Sequence, residues 1–140
     1  MTLPRDIAEF EGDWLLDRVI DDRLTGQKLR AEGGATLRRS EGGLTYDEQV
    51  TLFMPGQPPF HGTRRYLWRP APGGIAIHFE DGRFFHHLTL GQVAPGDHHD
   101  CPPDSYDAGY DFARWPLWRV RWTVKGPRKD YEMVTDFRRR

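Results

Sequence analysis

Residues 118–137 read WRVRWTVKGPRKDYEMVTDF, and their period decides the fold. Trp118, Val120, Trp122 and Val124 alternate with Arg119, Arg121 and Thr123 up to the break at Lys125-Gly126-Pro127. Beyond it Tyr131, Met133, Thr135 and Phe137 alternate with Glu132 and Asp136. Period-2 alternation puts apolar side chains on one face of a strand and polar ones on the other, so the stretch reads as two half-buried strands joined by a turn.

The same pattern extends toward the N-terminus. Trp14, Leu16, Arg18 and Ile20 share a phase, as do Leu29, Ala31, Gly33, Ala35 and Leu37. So do Leu44, Tyr46, Glu48, Val50 and Leu52, and then Phe60, Gly62, Arg64, Tyr66 and Trp68. Ile75, Ile77 and Phe79 follow, then Phe84, His86, Leu88 and Leu90, then Tyr106, Ala108, Tyr110 and Phe112. Eight turn signals separate nine extended segments, and Asp81-Gly82 is the strongest hairpin signal among them. Only residues 3–10 suggest a helical turn, and residues 91–104 form the longest irregular stretch. There is no internal repeat, low-complexity tract or linker. One apolar face per strand and no helix to cover a flat sheet predict closure on a single interior. The expected fold is all-β: residues 1–140 as one antiparallel up-and-down barrel of 8–10 strands, with a short N-terminal helical turn.

Composition narrows the function. The chain has 140 residues, 20 basic and 21 acidic, for a net charge of −1. That balance lacks the basic footprint of a nucleic-acid binder. No apolar run approaches membrane-spanning length. The acidic N-terminus has no apolar core of a secretory signal, and Cys101 has no cysteine to pair with, so a cytoplasmic protein is expected. Leu, Ile, Val and Phe supply only 30 residues, so the aromatics, 13% of the chain, must carry much of the burial. Arginine makes up 17 of the 20 basic residues. Solvated surface charge from a GC-rich coding sequence accounts for that; recognition of carboxylate or phosphate by forked guanidinium groups is the sharper reading.

The informative residues are the charges in phase with the core. Arg18, Glu48 and Arg64 fall on the inner face, and buried charge is costly unless paired. Either the three satisfy one another with help from Tyr46 and Tyr66, or one guanidinium is left for a ligand anion, or a strand is out of phase by one residue. Arg64 and Tyr66, two apart on one strand, can hold one carboxylate together. Trp14, Phe84 and Trp122 would be the apolar walls. Ala31, Gly33 and Ala35 leave space beside the charges, or the glycines mark a bend. His86 reads as a packed core histidine, with axial ligation of haem as the minor alternative. His98-His99-Asp100-Cys101 has no zinc spacing, and no metal or cofactor is expected. A reading from another class makes His99 a general base assisted by Cys101 or Tyr106, in a small isomerase, lyase or hydrolase. A third makes the protein an interaction module with a filled core. A small-molecule partner is expected, and an oligomer is left open.

Gly12-Asp13-Trp14 resembles the Gly-x-Trp that opens the first strand of lipocalins and other calycins. That resemblance implies a Trp closing one barrel end under an arginine from the end of the chain, here Arg138. Arg64-x-Tyr66 resembles the carboxylate clamp of fatty-acid-binding barrels. From residue 65 onward the chain also resembles an uncharacterised bacterial domain-of-unknown-function family of small calycin-like proteins. The stretches that carry it are Arg65-Tyr66-Leu67-Trp68, residues 79–86, His99-x-Cys101-x-x-Asp104-x-Tyr106 and residues 126–131. The resemblance implies a ligand-holding barrel and no established activity.

Overall fold

A computed structural model describes residues 2–140. A 3-10 turn, Ile7–Phe10, is followed by ten strands: β1 (Gly12–Asp22), β2 (Gln27–Ser40), β3 (Gly43–Phe53), β4 (Phe60–Ala71), β5 (Gly74–Phe79), β6 (Phe84–Thr89), β7 (Gly96–Cys101), β8 (Asp104–Asp111), β9 (Trp118–Gly126) and β10 (Lys129–Arg139). All pair antiparallel in the order β6-β5-β4-β3-β2-β1-β10-β9-β8-β7. The meander therefore closes through β1 and β10, and its one seam without a ladder lies between β6 and β7. A side chain spans that seam: the His87 amide donates to the Asp97 carboxylate at 2.6 Å. An inward acidic residue satisfies an edge amide and leaves less edge for a foreign strand.

One end of the barrel is closed. The 3-10 turn is held by a capping box, in which Asp6 accepts from the Ala8 amide at 2.8 Å and Glu9 from the Asp6 amide at 3.0 Å. This seats Phe10, fully buried, among Trp68, Phe112, Trp115 and Trp118. The Trp14 indole donates to the Phe10 carbonyl at 2.9 Å. The arginine over Trp14 is Arg139, 4.0 Å from the ring centroid, and not Arg138 as the resemblance implied. The last strand runs two residues past Phe137, where it was expected to end, and pairs Trp14 with Arg139. Arg139 also donates to the carbonyls of Glu9 and Glu11. Arg139→Ala removes a cation–π contact and two charged hydrogen bonds, an expected loss of about 2 kcal/mol in urea denaturation. Arg139→Lys restores less than half of it, because an ammonium lacks the planar fork that reaches both carbonyls while lying over the Trp14 ring.

Two expectations fail for identifiable reasons. Residues 91–104 are not an irregular loop, because β7 lies inside them and brings nine segments to ten. Phe84 does not face the interior: it is 52% exposed, while Phe85 and His86 are both buried. The register shifts at Ile77/His78, so Phe85 is the extra residue of a β-bulge and the face inverts there.

Among the described residues no helix is long and apolar enough to cross a membrane.

Candidate functional site

The site grows from β1, β2 and β3. Arg18 stands beside Ala31 of β2, yet bonds to Glu48 on β3, one strand beyond. The reach is open because between Leu29 and Leu37 the inner face of β2 presents only Ala31, Gly33 and Ala35. A Cβ at Gly33 would collide with the Gln49 carbonyl, so the close approach of β2 to β3 there requires glycine. Pairing runs through Gly33 in step on both sides, which makes it a bend and not a bulge.

The resulting fork is nearly saturated. Arg18 donates to both Glu48 oxygens, at 2.8 and 2.7 Å, and through Nε to the Thr135 hydroxyl at 2.8 Å. The Tyr46 phenol donates to Glu48 Oε1 at 2.7 Å. Arg18 and Glu48 are 7% and 3% exposed. Burial pushes the Glu48 carboxyl up, but the Arg18 fork and the Tyr46 phenol outweigh it and hold it below the usual carboxylate range. Burial likewise pushes the Tyr46 phenol well up, so it remains a donor.

Arg64 sits opposite Glu48 on β4 and has no carboxylate within salt-bridge distance among the described residues. Its one side-chain bond is a long one, Nη1 to the Tyr66 hydroxyl at 3.3 Å. It is exposed toward the open end, where Ile20, Leu29, Leu52, Tyr131 and Met133 are only half buried and Phe60 is 62% exposed. The inner face thus carries one neutralised ion pair and one unneutralised guanidinium beside apolar surface.

Below Arg64 the interior is well filled. A cavity of about 60 Å³ remains, lined among others by Arg64, Tyr66, Phe85, His86, Trp118 and Trp122. His86 is 3% exposed, and its Nε2 lies 2.7 Å from the Tyr110 hydroxyl. Burial, reinforced by His99 and His87 and only partly offset by Asp97, lowers its pKa to about 3, so the ring is neutral. Among the described residues His86 Nδ1 and the Trp118 indole N–H have no hydrogen-bond partner. Two unmet polar atoms on one cavity leave hydrogen bonds for whatever enters it.

The structure gathers Arg18, Tyr46, Glu48, Arg64, Tyr66, His86 and Trp122 around this cavity and leaves out Trp14 and Phe84. His99 and Tyr106 face each other across β7 and β8, their rings 6.1 Å apart. No hydrogen bond joins His99 to Cys101 or Tyr106 among the described residues; Cys101 is exposed, and the Tyr106 hydroxyl accepts from Lys129 at 3.1 Å. Phe85 and Thr135 were missed as site residues. Thr135 lies in phase with Met133 and Phe137, whereas nothing in the periodicity marks the bulge that turns Phe85 inward. Among the described residues no three His, Cys, Asp or Glu side chains are grouped to hold a metal ion.

A protein-family model matches residues 10–139, with the description "Family of unknown function (DUF6314)". No curated protein matches the chain. Among solved structures it is similar to an S-type phycobiliprotein lyase, CPES, from Guillardia theta, at 9% identity and a TM-score of 0.55. The similarity covers 96% of this chain and 90% of the lyase. At that identity it speaks to the barrel fold alone.

Proposed function

The chain belongs to this family of unknown function, and from its own site we propose that it binds a small amphipathic anion in the open half of the barrel. The observation that carries the reading is Arg64, a guanidinium without a carboxylate partner on an inner face whose other charges are paired. A carboxylate there would take charged hydrogen bonds from Arg64 and a further one from the Tyr66 hydroxyl. The apolar part would lie against Ile20, Leu52, Met133 and Phe60. Arg18 is a supporting residue in this scheme, since its donors are spent on Glu48 and Thr135.

Decanoate serves as the probe, with decanol and decylamine as controls of equal length. Saturable tryptophan quenching is expected for decanoate, at least tenfold weaker for either control. Arg64→Leu is expected to weaken decanoate at least tenfold with thermal stability unchanged, a loss of one charged hydrogen-bonded contact. Equal affinities of wild type and Arg64→Leu would overturn the reading. An interaction module with a filled core is the second reading, favoured by the smallness of the cavity; absence of saturable decanoate binding would support it.

A further inference from the structure

Phe85 holds an unusual place in the aromatic lining. Its ring stacks on Phe79 at 4.4 Å and 23°, and on Trp122 at 4.9 Å and 6°. Phe79 and Trp122 are not in ring contact with each other, so Phe85 is the ring interposed between them. Tyr66, the partner of Arg64, stacks on it at 5.7 Å and 24°. His86, His99 and Tyr106 stand nearly perpendicular around it, at 4.6, 5.2 and 6.2 Å. These walls come from β4, β5, β6, β7, β8 and β9. They describe a flat slot one ring thick, with aromatic faces above and below and a guanidinium and phenol nearby.

The residue filling that slot is the one least fixed by the sheet. Phe85 is the extra residue of the bulge, on β6, whose other edge has no ladder to β7. Its neighbour Phe84 already points to solvent. A rearrangement confined to this edge bulge lets the Phe85 ring leave the interior, with Phe84 still outside, without breaking another strand pair.

We propose that Phe85 is a displaceable plug in the ligand slot, and that the anion this barrel takes is a planar aromatic carboxylate. This rests on the reading of Arg64 as the anion partner. The ligand's ring replaces the Phe85 ring between Phe79 and Trp122, and its carboxylate reaches Arg64 and Tyr66. Vacating a phenyl ring beside the 60 Å³ cavity makes room for a bicyclic ring system, and the slot's thickness excludes bulky saturated ones.

The test uses 2-naphthoate as planar probe and decanoate as linear one, on full-length wild type, Phe85→Ala and Phe85→Leu. With the slot vacated, 2-naphthoate is expected to bind Phe85→Ala at least tenfold more tightly than wild type, with decanoate changing less than threefold. Its binding should also raise the Tm of Phe85→Ala, because the probe refills the stack. If Phe85→Ala does not fold, Phe85→Leu is read instead, with a gain of at least threefold expected. Adding Arg64→Leu should abolish the gain. 2-Naphthoate binding no more tightly to either folded variant than to wild type would overturn the plug, and so would an equal gain for decanoate. If decanoate still depends on Arg64 while 2-naphthoate gains nothing, only the plug falls. If neither probe depends on Arg64, the reading of the site falls with it.

Discussion

Glu48→Leu is expected to cost about 3–5 kcal/mol of folding stability, the scale for leaving one member of a buried ion pair without its partner. The cause is the Arg18 guanidinium, 7% exposed, with two of its three bonded nitrogens directed at Glu48. Removing the carboxylate leaves that charge in the interior with Thr135 as its remaining partner, and only Arg64, another cation, close by on the same face. The companion variant separates a cost of isolation from a net gain of pairing. Arg18→Met with Glu48→Leu should recover most of the loss, since apolar groups of similar volume replace buried ion pairs without large cost. The Tyr46 hydroxyl then lacks its acceptor, worth about 1–2 kcal/mol. Urea denaturation of the two single variants and the double closes the cycle. A double variant as unstable as the sum of the singles would contradict the assignment of the pair.

Acid is expected to destabilise the protein steeply between about pH 6 and pH 3, through His86. Its folded pKa of about 3 lies below the ordinary 6.5. As the pH falls below 6.5 the unfolded chain takes up a proton that the folded chain refuses. Stability therefore decreases with falling pH, by about 1.4 kcal/mol per unit, until the folded ring also protonates. Over the window the loss reaches about 4 kcal/mol. Glu48 acts in the same direction lower down: its folded pKa is depressed, so its contribution is lost as pH falls through that value. His98 opposes the trend at the surface, because Asp107 and Asp100 bond to its ring and raise its pKa. His86→Gln keeps a partner for the Tyr110 hydroxyl and does not titrate. Denaturation at pH 6.5, 5 and 4 should show a much flatter slope for it than for wild type. Parallel slopes would show that His86 is not the group responsible.

Much of this architecture is legible as periodicity. Residues 118–137 alone yield β9 and β10 in phase, and the same counting places Arg18, Glu48 and Arg64 inside. It cannot say which charges meet, because pairing depends on reach across the sheet. Arg18 finds Glu48 over the small residues of β2, whereas Arg64, directly opposite Glu48, is left without a carboxylate. β7 was missed because Gly96-Asp97-His98-His99-Asp100-Cys101 has no apolar alternation. It is a strand by virtue of its ladder with β8. Phe84 was misplaced because a bulge inserts one residue between it and His86: His86 and Leu88 keep the inner phase while Phe84 is turned outward, and no composition signal accompanies the bulge. Both misses fall at the β6–β7 seam, where the ladder is missing and tertiary contacts decide.

The proposed site requires Arg64 to meet the anion while Arg18 stays engaged with Glu48. The most direct measurement is ¹⁵N-edited NMR of the arginine Nε–H resonances during a decanoate titration, assigned with Arg64→Lys and Arg18→Lys. The Arg64 resonance is expected to shift saturably, with the Arg18 resonance, bonded to Thr135, nearly fixed. A shift confined to outer-face arginines such as Arg119 and Arg121, with Arg64 unmoved, would contradict the account.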